Sequence, residues 1–219
     1  LQDHRDLSML IHNKSQSLED LFQYIALEVI SKQSHSVQTF LEQSSILEEL
    51  SGAACDYVLN MENAEGMLKN LADKNMFIVP TGLNQYRYHA LFKELLENKL
   101  EETSPKEYRE LSERAAKYYE RKEMFDQMLH YLVKSERYED IALFLQSYGF
   151  KLLKEGKLQT LYDFLRKIPI KLKEENYWLW FFEGELYRIR SEYKQAKACY
   201  YNSEELSGGC SNFRMNSLA

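Results

Sequence analysis

Prolines number three and glycines eight in 219 residues. So few breakers leave long helices unobstructed. The three cysteines, Cys55, Cys199 and Cys210, are odd in number and far apart. That spacing supports no disulfide framework and no metal site, and they read as reduced thiols of a cytoplasmic protein. No apolar run approaches the roughly 20 residues of a membrane span. Residues 1–20 lack the basic-then-apolar order of a signal peptide. There is no G-x-x-x-x-G-K-[ST] anywhere, so no triphosphate cradle is expected. No nucleophile–base pair, metal cluster or paired carboxylate frame stands out, so no catalytic residue and no metal ligand are expected and an enzyme is the weakest reading.

Aromatic residues are abundant, with 16 tyrosines and 11 phenylalanines. They suit helix-pair packing and aromatic-lined grooves. The net charge of −6 is unevenly placed. Residues 37–103 alone carry 11 acidic against 5 basic side chains. Affinity for DNA comes mainly from Lys and Arg neutralising phosphates. This stretch, and the absence of a basic recognition helix near the C-terminus, argue against direct DNA binding.

Apolar spacing predicts a helix over 18–34, through Leu18, Leu21, Phe22, Ile25, Val29 and Ile30, with Ser17 as N-cap. Further helices are expected over 37–47, 51–59 and 63–75. The period then changes. Residues 76–80 form a short β run, 81–85 a turn, and 86–89 a second run, together a hairpin. Helix resumes at Ala90. Three helices, a hairpin and a further helix make a winged-helix layout over 37–103. From Ser104 the chain is helical throughout, with helices at 105–122, 124–134, 137–148, 149–155, 157–167, 174–190 and 192–205. Short polar joints suit antiparallel helix pairs.

The strongest local pattern lies at 178–200. Trp180, Gly184 and Tyr187 stand at the spacing W-x3-G-x2-Y, followed by Ala196 and Tyr200. The set resembles a tetratricopeptide repeat. Small Gly184 and Ala196 would sit where two helices cross. Glu183 departs from the pattern, which wants Leu. Ala115-Ala116 and Tyr119 echo it as a degenerate earlier repeat. The expected fold is mainly α: a winged-helix domain at 37–103, then a tetratricopeptide-like solenoid of antiparallel helix pairs at 104–219. Solenoids usually present a concave recognition surface. Leu1 opens in mid-pattern without methionine, and Ser217-Leu218-Ala219 ends soon after one repeat. An excised piece of a larger protein is expected, with 1–36 as a helical linker.

Several runs carry a wider resemblance when taken in order. They are Phe40-Leu41-Glu42-Gln43-Ser44-Ser45-Ile46-Leu47, Leu50-Ser51-Gly52, Leu68-Lys69-Asn70-Leu71, Met76-Phe77-Ile78-Val79-Pro80 and Tyr86-Arg87-Tyr88-His89-Ala90-Leu91-Phe92. Ala115-Ala116-Lys117-Tyr118-Tyr119 and Leu129-His130 follow. Over residues 18–205 the chain resembles the regulatory middle of large ATP-dependent LuxR-type transcription activators, members of the signal-transduction ATPases with numerous domains. The resemblance implies a P-loop ATPase domain before this region and a DNA-binding helix-turn-helix after it. It implies ATP and ADP as ligands of the parent protein, with none held by this chain alone. It also implies three partners: the protein's own ATPase domain, a small-molecule inducer or inhibitory protein on the repeats, and further copies in the active form.

Tyr88-His89-Ala90-Leu91-Phe92 is similar to a Met-His-Asp-Leu-Leu stretch in related winged-helix domains. By that likeness His89 would contact ADP phosphates in the closed state. The alternative is that His89 merely caps the following helix. Ala90 departs from the motif's Asp. Tyr177, Trp178 and Phe182 form a candidate ligand or partner surface, or else repeat packing; Trp180 is assigned to the core. His130 is expected in a buried contact between helices, while His4, His12 and His35 are expected to be solvated. Arg188-Ile189-Arg190 reads as a solvated helix end. A rival of another class is a helical-repeat adaptor without a nucleotide switch.

Overall fold

The computed structural model describes residues 21–208. Ser17, Leu18, His4, His12, Cys210 and the final Ser217-Leu218-Ala219 lie outside the described residues. The chain divides into two compact units after Tyr118.

In the first unit, α1 (residues 21–31) precedes α2 (His35–Ser44), α3 (Gly52–Leu59) and α4 (Ala64–Asp73). A hairpin of β1 (Ile78–Gly82) and β2 (Gln85–Tyr88) follows, then α5 (Ala90–Thr103) and α6 (Pro105–Arg121), in which the division falls. Leu41, Leu47, Val58, Leu68, Phe92 and Leu96 are fully buried at its centre. In α1 the buried seam is narrower than the apolar spacing suggested. Ala26 and Ile30 are buried and Phe22 half-buried, while Leu21 and Ile25 are exposed. Positions 22, 26 and 30 share one helix face.

Carboxylates organise the start of this unit's helices. The Ser51 hydroxyl caps α3 by accepting the Ala54 N–H at 3.3 Å. Asn63 makes no cap bond on α4. Asp56 replaces it, accepting the Ala64 N–H at 2.8 Å. Glu65 accepts the Gly52 N–H at 3.1 Å and the Tyr86 hydroxyl at 3.4 Å, joining α3, α4 and β2.

The strands pair antiparallel, with Ile78 opposite Tyr88 and Pro80 opposite Tyr86, and the register is irregular between Pro80 and Gly82. Leu50 adds two backbone bonds to Tyr86, at 2.8 and 2.9 Å. The first strand starts at Ile78, two residues later than its apolar run. Residues 75–77 are still turning out of α4: the Met76 N–H donates to Leu71 O at 3.0 Å, and Asn75 and Phe77 both have positive φ. In the two-residue turn Asn84 takes φ 56°, which suits Asn.

The second unit contains α7 (Phe125–Lys134), α8 (Tyr138–Lys154), α9 (Leu158–Lys167), α10 (Ile170–Glu174), α11 (Tyr177–Ile189) and α12 (Tyr193–Leu206). Two sequence expectations need correction here. Residues 138–154 form one continuous helix rather than two. The helix expected over 174–190 begins only at Tyr177, after a separate short α10, and its N-cap Asn176 accepts the Trp178 N–H at 3.2 Å.

Four joints repeat one device. Glu123, Glu136, Gly156 and Ser191 adopt left-handed φ. The residue after each donates its N–H five residues back: Met124 to Tyr119, Arg137 to Leu132, Lys157 to Leu152 and Glu192 to Tyr187, at 2.9–3.0 Å. This is the 6→1 bond of a Schellman ending, which satisfies an orphan carbonyl and turns the chain sharply. The resulting pairs pack closely. A β-carbon on Gly184 would lie 2.7 Å from Tyr200 Cε1 and 3.3 Å from Cys199 Cβ. The architecture is mainly α with one small hairpin, as the periodicity indicated. Among the described residues no helix is long and apolar enough to cross a membrane, and no His/Cys/Asp/Glu group could hold a metal ion.

Candidate functional site

His89 stands between β2 and α5, at the N-cap position of α5. Its backbone N–H donates to Phe77 O at 2.8 Å. Its side chain is exposed and makes no cap hydrogen bond. His89 thus caps the helix through its backbone carbonyl, which accepts the Lys93 N–H at 2.9 Å, while the imidazole ring lies against Phe22, with centroids 5.9 Å apart. Phe77 holds this corner. Its ring stacks on Phe92 at 4.5 Å and meets Phe22 edge-on at 5.6 Å. Its φ of 56° is strained for an aromatic residue. That conformation turns the Phe77 carbonyl toward His89.

The first turn of α5 contains no acidic residue. Its leading N–H groups have no intrahelical acceptor, as at any helix start. An exposed imidazole beside these groups forms a donor-rich corner that suits an anion. Along the same helix, Phe22, Leu91, Leu95, Asn98 and Lys99 line a groove of about 360 Å³. Lys99 is tied to Glu42 at 2.6 Å.

The aromatic cluster divides by burial. Phe182 is fully buried and cannot face a ligand; it fills the gap above Gly149. This corrects its assignment to the surface. Trp180, assigned to the core, is only half-buried, whereas Leu179, Phe181 and Phe182 are buried. Residues 179, 182 and 186 form the inward stripe, which leaves 180 at its edge. Tyr177 and Trp178 are half-buried, with rings 4.8 Å apart. Trp178 also meets Phe150 edge-on at 5.5 Å.

His35 is exposed. His130 is exposed too, edge-on to Tyr131 at 5.0 Å, rather than buried between helices. Burial, above all other causes, pushes the Cys55 thiol up to about 12 and the Cys199 thiol up to about 11.

A second site escaped sequence reasoning. Tyr162, Leu165 and Arg166 of α9 face Glu183, Leu186, Tyr187 and Arg190 across a pocket of about 220 Å³, closed by Lys173 of α10. Lys173 Nζ pairs with Glu183 at 3.0 Å, both side chains being largely buried. Arg188, Ile189 and Arg190 are exposed at the end of α11, the solvated end the sequence indicated. Arg188 binds Glu185 at 2.7 Å, and the Arg190 guanidinium lies 4.7 Å over the Tyr162 ring. The available signal was Glu183 itself, a charge where the repeat pattern calls for Leu.

Residues 26–108 match the family model of the MalT winged helix domain. The HTH-type transcriptional regulator MalT of Vibrio parahaemolyticus is 25% identical over 204 residues, covering 92% of this chain and 23% of the relative. The protein of the same name from Vibrio cholerae is 28% identical over 161 residues, covering 72% of the chain and 18% of the relative. The three helices, hairpin and following helix agree with the winged-helix match over residues 26–108. Over most of its length the chain is similar to transcriptional regulators named MalT. The chain spans about a fifth of the length of the curated relatives it matches.

Proposed function

We propose that the chain couples nucleotide state, and the binding of an inducer or partner, to a DNA-binding activity lying outside it, in an ATP-dependent cytoplasmic LuxR-type activator. The match of residues 26–108 to the MalT winged helix carries this reading. In the closed state His89 meets the phosphates of ADP held by an ATPase domain of the same protein. Its exposed ring and the donor-rich start of α5 support that role. ATP and inducer favour the open state, and the inducer shifts the balance only by its difference in affinity between the two. The helical repeats receive a small-molecule inducer or an inhibitory protein, with Tyr177 and Trp178 as the candidate surface. The open form self-associates. The winged helix makes no direct contact with DNA, because its acidic balance repels phosphate.

The test uses the parent protein with His89→Ala. Looser ADP retention and transcription without inducer are expected. Unchanged ADP retention together with unchanged inducer dependence would remove His89 from the switch. If the parent protein bound no adenine nucleotide at all, the chain would instead belong to a helical-repeat adaptor.

A further inference from the structure

We infer that the pocket between α9 and α11 is a binding site for a small organic anion, a phosphate ester or carboxylate with an apolar body. This goes beyond the proposed switch and does not depend on it. Three cations and one carboxylate line the pocket. The carboxylate, Glu183, is already engaged by Lys173 at 3.0 Å. Arg166 and Arg190 have no carboxylate partner among the described residues. Two guanidinium groups thus border one concave site with their charge uncompensated.

The geometry of Arg190 favours an oxyanion. Its guanidinium carbon lies over the Tyr162 ring, 4.7 Å from the centroid. A guanidinium held over a ring in this way keeps N–H donors for bonds to a carboxylate or phosphate. The ring also restrains the side chain, so less rotamer freedom is lost on binding. Arg190 and Glu183 stand seven residues apart on α11, about 10 Å along the helix axis. The cations therefore bracket the length of the groove instead of crowding one point. Between them Leu165 and Leu186 are buried, and Tyr162 and Tyr187 half-buried. Such a lining takes an apolar or aromatic body, with the charged group at one end.

Glu183 has a definite part. A leucine there would leave Lys173 free to bind the ligand alone. The Glu183–Lys173 pair instead ties α10 to α11, and fixes the end wall of the pocket.

The probe is phenyl phosphate, titrated calorimetrically into the full 219-residue chain at low salt. Benzoate forms a second arm and neutral benzyl alcohol a third. Saturable binding of either anion is expected, and whichever is tighter names the charged group. Benzyl alcohol should bind at least about tenfold more weakly, since charge-assisted bonds supply the difference. The double variant Arg166→Gln/Arg190→Gln should lose about tenfold or more. Lys194→Gln, on the exposed side of α12, should bind as wild type does. Wild-type affinity should also fall several-fold when salt rises about tenfold, a readout that needs no variant. The inference is overturned by equal affinity of the double variant, by equal affinity for benzyl alcohol, by salt-independent binding, or by no saturation with either anion.

Discussion

The ring of Phe182 stands where a side chain on Gly149 would begin: a β-carbon there would lie 2.3 Å from Phe182 Cζ. Gly149 is mid-helix in α8, where Gly ordinarily costs about 0.5–1 kcal/mol relative to Ala. Here that cost permits a close approach of α11 to α8. Gly149→Ala should therefore destabilise the chain, by about 1–3 kcal/mol, because overpacking outweighs the gain in helix propensity. Urea unfolding measures it. A midpoint equal to or above wild type would contradict the packing. Phe182→Leu in the same chain should recover part of the loss, since the two sites touch.

This contact also shows what the sequence could and could not convey. The change of period at residues 76–88 disclosed the hairpin, and the spacing of Gly184, Ala196 and Tyr200 disclosed a close helix crossing. Gly149 misled, because a glycine next to a tyrosine in a polar stretch looks like a break. Its actual cause, Phe182, is 33 residues away. The helix ends were hidden for a different reason. Glu123, Glu136 and Ser191 occupy left-handed positions where Gly or Asn would have been an explicit signal. The aromatic run 177–182 was ambiguous because only the neighbouring helices decide which of its rings face inward. His89 was located from likeness alone, and its exposure beside Phe22 is a matter of tertiary packing.

Lys173 and Glu183 form an ion pair with side chains only 12% and 24% exposed. Removing one member leaves the other charge poorly solvated. Lys173→Met should cost about 1–3 kcal/mol. The double variant Lys173→Met/Glu183→Leu restores the repeat pattern's leucine and removes both charges. It should recover most of that loss, because a buried pair often gains little over apolar packing. Thermal melting of the three proteins at one pH decides this. A double variant that melts below Lys173→Met would mean that the pair is worth more than its apolar replacement.

The buried thiols should be chemically silent. The thiolate is the reactive form, and burial opposes its formation at both positions. At Cys55, Asp56 and Glu65 add to this effect. With iodoacetamide at about pH 8, well below both thiols' pKa values, Cys55 and Cys199 should remain unmodified in the folded chain and react fully in urea. Peptide mass spectrometry distinguishes the sites. Rapid modification of either one without denaturant would show that its thiol is accessible and ionisable.

Acid should act through Glu185. Burial pushes its carboxyl up, but hydrogen bonds from Arg188 and Tyr200 outweigh this and hold it below the usual carboxylate range. The Tyr200 hydroxyl donates to it at 2.5 Å, and Arg188 at 2.7 Å. Because the folded pKa lies below the unfolded value, ionised Glu185 stabilises the fold above roughly pH 4.3. That contribution is lost as the pH falls through the lower, folded pKa. Glu185→Gln keeps the shape but cannot ionise. The wild-type advantage over this variant should therefore be constant near neutral pH and shrink in the acid range. Tyr200→Phe removes one of the two donors, so its advantage over the corresponding double variant should shrink at a pH nearer the unfolded value. Urea titrations at a series of pH values would show both trends. A difference between wild type and Glu185→Gln that did not change with pH would mean that Glu185 acts through its shape and not through its charge.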